Sequence, residues 1–206
     1  MRGPAGLASA QDVLDFWIGS AADDSEALEV RDRLWFRKSE ASDETIRAAF
    51  GQTLDVLAAG MAFTWAERGP RDRLAAIISL DQFSRNIHRG TSQAFANDAD
   101  ALQLCKKGLM KGDDAGLKEI ERIFFYLPLE HSERQADQAL SVANFEKLAQ
   151  SARPEFRAYA DKTLSYAISH KSVIDQFGRF PHRNGILGRE STPEELDYLS
   201  RPGAGF

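Results

Sequence analysis

The sequence predicts an all-α protein built as a single domain, an antiparallel array of helices joined by short connections over residues 1–206. Apolar residues recur at three- and four-residue spacing along most of the chain, which is typical of amphipathic helices. Capping residues, glycines and prolines separate these periodic runs. No run of alternating β-branched residues bounded by turns, the pattern of a strand, occurs in the sequence. At 206 residues the chain is long enough to bury a substantial core.

Capping signals predict three helices in the first 60 residues. Ser9 can cap a helix that Gly19 stops. After an acidic turn, residues 28–36 place large apolar side chains on one helix and charged side chains on its other face. Ser42 starts a third helix, whose apolar residues keep helical spacing until Gly60 closes it.

A central helix is predicted next. Phe63 and Trp65 indicate a short aromatic turn, and Pro70 suits the first turn of the helix that follows. The run 74–80 is apolar on nearly every side, as in an enclosed helix. Asp81 falls on the buried stripe of this run. A carboxylate there must be paired or hydrogen-bonded, because burying it alone costs several kcal/mol or more.

Similar signals predict the helices of the second half. Thr91 and Ser92 cap a segment that ends near Gly112, and a further short helix is interrupted at Pro128. A long amphipathic stretch then follows Ser132, which can cap it.

The last elements are marked by prolines. Pro154 opens a helix that Gly178 ends. Thr192 and Glu195 form a capping box with Pro193 at the first helical position. Residues 201–206 indicate a loose tail.

One ten-residue pattern occurs twice, at residues 81–90 and 175–184. Six of its ten positions are identical, five of them polar or charged, and the shared pattern is D-Q-F-x-R-x-x-H-R-x. Core packing alone rarely repeats a set of polar side chains. The repeat therefore marks either a shared structural joint or a shared site.

Two interpretations of the repeat stay open. In the structural one, arginine and histidine at each helix end satisfy backbone carbonyls and pair with Asp81 or Asp175. In the functional one, the two ends face each other and form a pocket for an anion, because arginine presents a fixed fork of donors to phosphate or carboxylate. His88 or His182 could supply a proton there. The predicted ligand-binding residues are Arg85, Arg89, Arg179, His182, Arg183, Asn184 and Arg189.

Glu130 and His131 are a second candidate site. They follow Pro128, so we expect them on a fixed turn rather than within a helix. The alternative is that both residues only cap or pair locally. His170 lies on an apolar stripe and is expected to be a hydrogen-bonded core histidine.

Composition excludes several classes of function. A net charge of −5 argues against nucleic acid or an anionic membrane as the default partner. The lone Cys105 excludes an internal disulfide, and the apolar runs are too short to cross a bilayer, so a cytoplasmic protein is expected. No metal-ligand, phosphate-loop, dinucleotide-binding or nucleophile-elbow motif occurs, so we expect neither a metal nor a cofactor.

Four sequence segments, in this order along the chain, resemble segments of a bacterial family catalogued as domain of unknown function 924. They are V-L-D-F-W-I-G (13–19), L-A-A-I-I-S-L-D-Q-F-S-R-N-I-H-R-G (74–90), Y-L-P-L-E-H-S-E (126–133) and F-G-R-F-P-H-R-N-G-I-L-G-R-E-S-T-P-E-E (177–195). The resemblance implies a tetratricopeptide-like superhelix and carries no activity. The family usually has proline at Ser84 and phenylalanine at His88. Nine polar positions match its pattern, namely Arg85, Arg89, Glu130, His131, Arg179, His182, Arg183, Asn184 and Arg189.

Two functions follow from these residues. The first is a binding module that takes an anionic small molecule or an acidic peptide through an Arg/His-lined pocket. The alternative is an enzyme acting on an anionic substrate, with His182 or His131 as general acid/base and Glu130 or Asp137 orienting it. A deep pocket in which one histidine contacts one carboxylate would favour catalysis, and an open groove would favour binding. The oligomeric state is left open.

Overall fold

The computed structural model describes residues 6–205, and every regular element in that range is helical. The all-α prediction is therefore confirmed, whereas the single domain over 1–206 and the tetratricopeptide-like superhelix stay predictions. The α-helices are α1 (Ala10–Trp17), α2 (Leu28–Phe36), α3 (Glu40–Val56), α4 (Ala62–Ala66), α5 (Pro70–Ile78), α6 (Ser84–Ile87), α7 (Asp98–Lys111), α8 (Glu119–Glu130), α9 (Gln135–Ser151), α10 (Pro154–Phe177) and α11 (Pro193–Leu199). Two π-helical turns occupy Leu57–Met61 and Ser79–Phe83, and 3-10 turns occupy Gly19–Ala22, Ser25–Ala27, Ser92–Phe95, Asp113–Gly116 and Pro181–Arg183.

Several helix ends form where the capping residues predict them. The Ser9 hydroxyl accepts from the Asp12 N–H, and the Asp12 carboxylate accepts from the Ser9 N–H, so α1 has a complete capping box. α11 begins in the same way at Thr192. Pro70 and Pro154 occupy the first turns of α5 and α10, and Gly178 ends α10 with a left-handed φ of 70°.

Three predicted boundaries in the first half are wrong. α3 is capped by Ser39 instead of Ser42, because the Ser39 hydroxyl accepts the Ser42 N–H and starts the helix three residues earlier. Gly60 does not close the segment. Gly60, with a φ of 112°, lies inside the π-helical turn. The predicted aromatic turn is instead the helix α4, because Ala62 and Trp65 are buried as a helical pair.

Three boundaries in the second half also differ. A 3-10 turn precedes α7, which begins at Asp98 instead of directly after Ser92. α8 is not interrupted at Pro128 but continues to Glu130, because its residues from 119 to 130 are buried nearly all round except Arg122, and packing outweighs the lost backbone donor. Ser132 does not cap α9; its hydroxyl donates to Asp137.

The core is continuous from α1 to α10, with α5 at its centre. Residues 74–78 are fully buried, as the sequence predicts for an enclosed helix, and α5 packs against α1, α4, α7 and α8. Trp17 contacts Phe83 edge-on at 5.4 Å and Phe124 at 5.8 Å between ring centroids. These contacts hold the start of the chain against the π-helical turn and α8.

The π-helical turn Ser79–Phe83 joins α5 to α6 and carries the start of the first repeat copy. Such turns insert an extra residue into a helix and are frequent at functional sites. Here the turn buries Asp81 (1% exposed) opposite the end of α8. Within residues 6–205, no helix has the length and apolar character that a membrane span requires.

Candidate active site

Asp81 and His131 form the centre of the site. Asp81 Oδ1 lies 2.7 Å from His131 Nδ1 and 3.2 Å from Arg85 Nη1, and the Gln82 side-chain amide donates to Oδ2. Burial alone would raise the pKa of Asp81, but the charge of Arg85 and the contact with His131 hold it well below its ordinary value. The predicted pairing of this buried carboxylate is confirmed, and Asp81 is ionised.

The contact with Asp81 determines which nitrogen of His131 carries the proton. An ionised carboxylate only accepts hydrogen bonds, so the His131 Nδ1 must donate. Burial, followed by the charge of Arg85, lowers the pKa of His131, although Asp81 opposes the shift. Near pH 7 the ring is therefore neutral, with Nδ1 protonated and Nε2 carrying a lone pair. That is the form a general base requires.

Glu130 and His170 form a second contact beside the first. His170 Nδ1 lies 3.0 Å from Glu130 Oε1 and 2.9 Å from the carbonyl oxygen of Tyr166, so this nitrogen also carries the proton. Burial, reinforced by the charge of Asp81, raises the pKa of Glu130 to about 8. Burial also lowers the pKa of His170 to about 3. Near neutral pH, Glu130 is a protonated acid next to a neutral imidazole.

Glu130, His131 and His170 line one cavity of about 340 Å³ between α2, α6, α8 and α10, which we call the main cavity. The lining of the main cavity combines polar groups with apolar and aromatic ones. The polar groups include Gln82, Arg85, Asn86, Arg89, Glu130, His131 and His170. The apolar and aromatic groups include Trp35, Phe36, Ile123, Leu127, Tyr159 and Tyr166. Its volume and lining are typical of a small-molecule site.

The cations of the main cavity are held by carboxylates. Arg89 contacts Asp43 through two bonds of 2.6 and 2.8 Å, and Lys162 contacts Asp32 at 2.8 Å. The side chains of Arg89 and Lys162 nevertheless remain 36% and 46% exposed. They are fixed in place but still accessible to a negatively charged group.

A second, more open cavity of about 270 Å³ lies on the other side of His131, and we call it the rear cavity. It is bounded by the start of α7, the turn between α8 and α9, and the turn Pro181–Arg183. His131 lines both cavities. Arg183, which belongs to the second repeat copy, also lines the rear cavity, so the second copy and His131 meet there.

The two repeat copies approach each other, but they are not equivalent. Asp81 is buried, whereas Asp175 is exposed and pairs with Lys171 on the surface. The copies meet at Asp98, whose carboxylate contacts Arg85 at 2.8 and 3.1 Å and Arg183 at 3.4 Å. The pairing expected of Asp175 with the arginines of its own copy is therefore wrong, because that carboxylate points to solvent at the end of α10.

Other predicted residues form ion pairs and hydrogen bonds within the C-terminal segment and between it and Glu133. Arg179 contacts Glu195 through two bonds of 2.6 and 2.7 Å, and Asn184 donates to the same carboxylate at 3.1 Å. Arg189 contacts Glu133 at 2.7 and 3.0 Å. The charges of Arg179 and Arg189 are thus matched by carboxylates of the protein.

The remaining predicted histidines are both half-buried. His182 is half-buried, with its ring 5.6 Å from that of Phe180, and burial lowers its pKa to about 4. His88 is half-buried at the C-terminal end of α6. Neither lines the main cavity.

The carboxylate that contacts His131 was missed by sequence reasoning. Of the two carboxylates expected to orient it, Glu130 contacts His170, and Asp137 accepts from Ser132 and pairs with Lys106. Asp81 takes that position from 50 residues earlier in the chain. The only signal for it was its burial next to the apolar run, which requires a partner but does not identify one.

Comparison with known proteins places the chain in a family. Residues 13–203 match the family model described as bacterial protein of unknown function (DUF924). A solved structure of a protein of unknown function from Agrobacterium tumefaciens is 34% identical and has a TM-score of 0.76, covering 93% of this chain and 96% of that one. Among curated proteins, no match was found.

Proposed function

Since the chain belongs to the DUF924 family of bacterial proteins of unknown function, we propose from the geometry of the site that it is an enzyme. It transfers protons to and from an anionic organic substrate bound in the main cavity. The observation that carries this proposal is the 2.7 Å contact between Asp81 and His131, a histidine that lines the main cavity. Such a contact fixes the tautomer and the orientation of a general base.

The two titratable groups that follow one another at the end of α8 have complementary roles. His131 is neutral and accepts a proton at Nε2, while Glu130, with a pKa of about 8, is protonated and donates one. Neighbouring groups whose environments push their pKa values in opposite directions are characteristic of acid/base sites. After turnover, solvent returns a proton to Glu130 and takes one from His131.

The lining of the main cavity narrows the substrate and the reaction. Aromatic rings such as those of Trp35 and Tyr159 suit an apolar body, and Arg89 and Lys162 suit a carboxylate or phosphate group. His131 can act on a proton of the substrate or of a water molecule, as in isomerisation or hydrolysis.

Incubation with a bacterial metabolite extract, followed by mass spectrometry, tests the proposal. Wild-type protein is expected to consume at least one anionic compound, and His131→Gln to consume it at least about 100-fold more slowly. His88→Gln is the matched control, because His88 is a half-buried histidine outside the main cavity, and it should match the wild type. Equal consumption by His131→Gln and wild type would refute the role of His131.

The same experiment separates catalysis from binding alone. The binding module has one observation in its favour, which is that Arg89 and Lys162 remain accessible at the main cavity. A compound that co-purifies with the wild type and with His131→Gln but is left unchanged by both would support that function instead.

A further inference from the structure

Arg183 is a buried arginine that lies against two aromatic rings. Only 6% of the residue is exposed, and its guanidinium carbon lies 4.8 Å from the ring centroid of Phe95 and 4.5 Å from that of Phe180. Contact with two rings restricts the orientation of the guanidinium while its N–H groups can still donate hydrogen bonds. Side chains of this kind are pre-organised to bind a planar or multi-oxygen anion.

The described residues offer the Arg183 guanidinium few hydrogen-bond acceptors. The one hydrogen bond that Arg183 makes to another residue of the range 6–205 through its side chain is 3.4 Å long, from Nη1 to Asp98. Its buried Nε finds no acceptor in that range. An unmatched buried charge is costly, so the part of the guanidinium that lines the rear cavity is suited to an acceptor from outside the chain.

Neighbouring carboxylates are committed to other arginines. Asp98 makes its shorter bonds, 2.8 and 3.1 Å, with Arg85, and Glu133 makes two bonds with Arg189. The described lining of the rear cavity has two arginines, Arg134 and Arg183, and two carboxylates, Asp98 and Glu133. Because both carboxylates make their shorter bonds with arginines outside this lining, the charge of Arg183 is poorly matched.

We propose that Arg183 anchors an oxyanion subsite in the rear cavity, which takes a carboxylate or phosphate group next to His131. Ser132 and Arg134 lie at the same cavity and can add donors. Burial, followed by the charge of Arg85, lowers the pKa of Arg183 to about 10, and a bound anion would remove the second of these effects. The assignment of this anion to the substrate rests on the proposed function, but its binding to Arg183 does not.

Calorimetric titration of the whole protein with inorganic phosphate and, separately, with acetate tests the subsite. We expect at least one of the two to bind, with the binding at Arg183 weakened at least tenfold in Arg183→Met and any binding at Arg89 and Lys162 unchanged, and the arm that loses binding identifies the class of anion. Arg183→Lys keeps the charge but loses the fork, and should weaken binding several-fold. Arg201→Met is the control, because Arg201 is exposed and pairs with Asp197, and it should bind as the wild type does.

Two outcomes overturn the subsite. One is that neither anion binds, and the other is that both Arg183 variants bind as tightly as the wild type. His131→Gln separates this inference from the proposed enzyme, because it should keep anion binding while it loses turnover. Loss of turnover in His131→Gln without anion binding at Arg183 would leave the enzyme and remove the subsite. Anion binding with unchanged turnover in His131→Gln would do the reverse.

Discussion

Replacement of Glu130 by glutamine should remove a large pH dependence of stability. Glutamine has the same shape and can still accept the His170 Nδ1–H, but it does not ionise. The pKa of Glu130 rises from 4.5 when unfolded to about 8 when folded. A raised folded pKa contributes stability that is fully present below pH 4.5 and is lost as the pH rises towards 8. At 1.4 kcal/mol per pH unit, the wild type should lose about 3 kcal/mol relative to Glu130→Gln between pH 5 and pH 7.

Urea unfolding of both proteins at pH 5, 6 and 7 measures this difference. Other titrating groups, including His131 and His170, are present in both proteins and largely cancel when the two free energies of unfolding are subtracted. We expect the difference to change steadily in favour of Glu130→Gln as the pH rises. A difference that stays flat over this range would mean that folded Glu130 is already ionised. In that case Glu130 could not act as the general acid.

Three further predictions concern the tautomer of His131, the C-terminal segment and the packing of α7. Asp81→Asn should lower turnover of the identified substrate about 100-fold or more, because the amide no longer fixes the His131 tautomer; unchanged turnover would contradict this. Arg179→Met should lower the midpoint of thermal unfolding in calorimetry, because Glu195 loses its partner, whereas Arg183→Met should leave the midpoint unchanged or raise it. A lower midpoint in Arg183→Met than in Arg179→Met would show that Arg183 has the structural role. Gly108→Ala should cost about 1–3 kcal/mol in urea unfolding, since the added Cβ would lie 2.5 Å from Phe125 Cζ and 2.6 Å from Arg73 Cδ; a neutral result would refute the close packing of α7 against α5 and α8.

Local signals in the sequence predict most of the helical framework. Ser9 and Thr192 cap helices because hydroxyl and carboxylate groups within four residues satisfy free backbone N–H groups. The boundaries fail where distant packing decides. Pro128 stays within α8 because the surrounding residues are buried, and neither π-helical turn has a local sequence signal.

The site shows the same division. That Asp81 is buried and paired follows from its place on an apolar stripe, and Glu130 and His131 are candidates because of their type and their position after Pro128. The pairs that form, Asp81 with His131 and Glu130 with His170, join residues 50 and 40 positions apart, and helix packing alone brings them together. The aromatic lining of the main cavity is likewise not predicted by the sequence. Large apolar side chains on a helix predict a buried core, whether or not that core leaves a cavity.

The tautomer of His131 is the most direct test of the central claim, which is that Asp81 prepares this ring as a base. Long-range ¹H–¹⁵N spectra of the histidine side chains, assigned by the signal lost in His131→Gln, report which ring nitrogen is protonated. If Asp81 prepares the ring, His131 carries a proton on Nδ1 and none on Nε2 at pH 7. The ring is then still mainly neutral at pH 6.5, which is the ordinary pKa of histidine. A proton on Nε2 at pH 7, or half-protonation at pH 6.5, would contradict that claim.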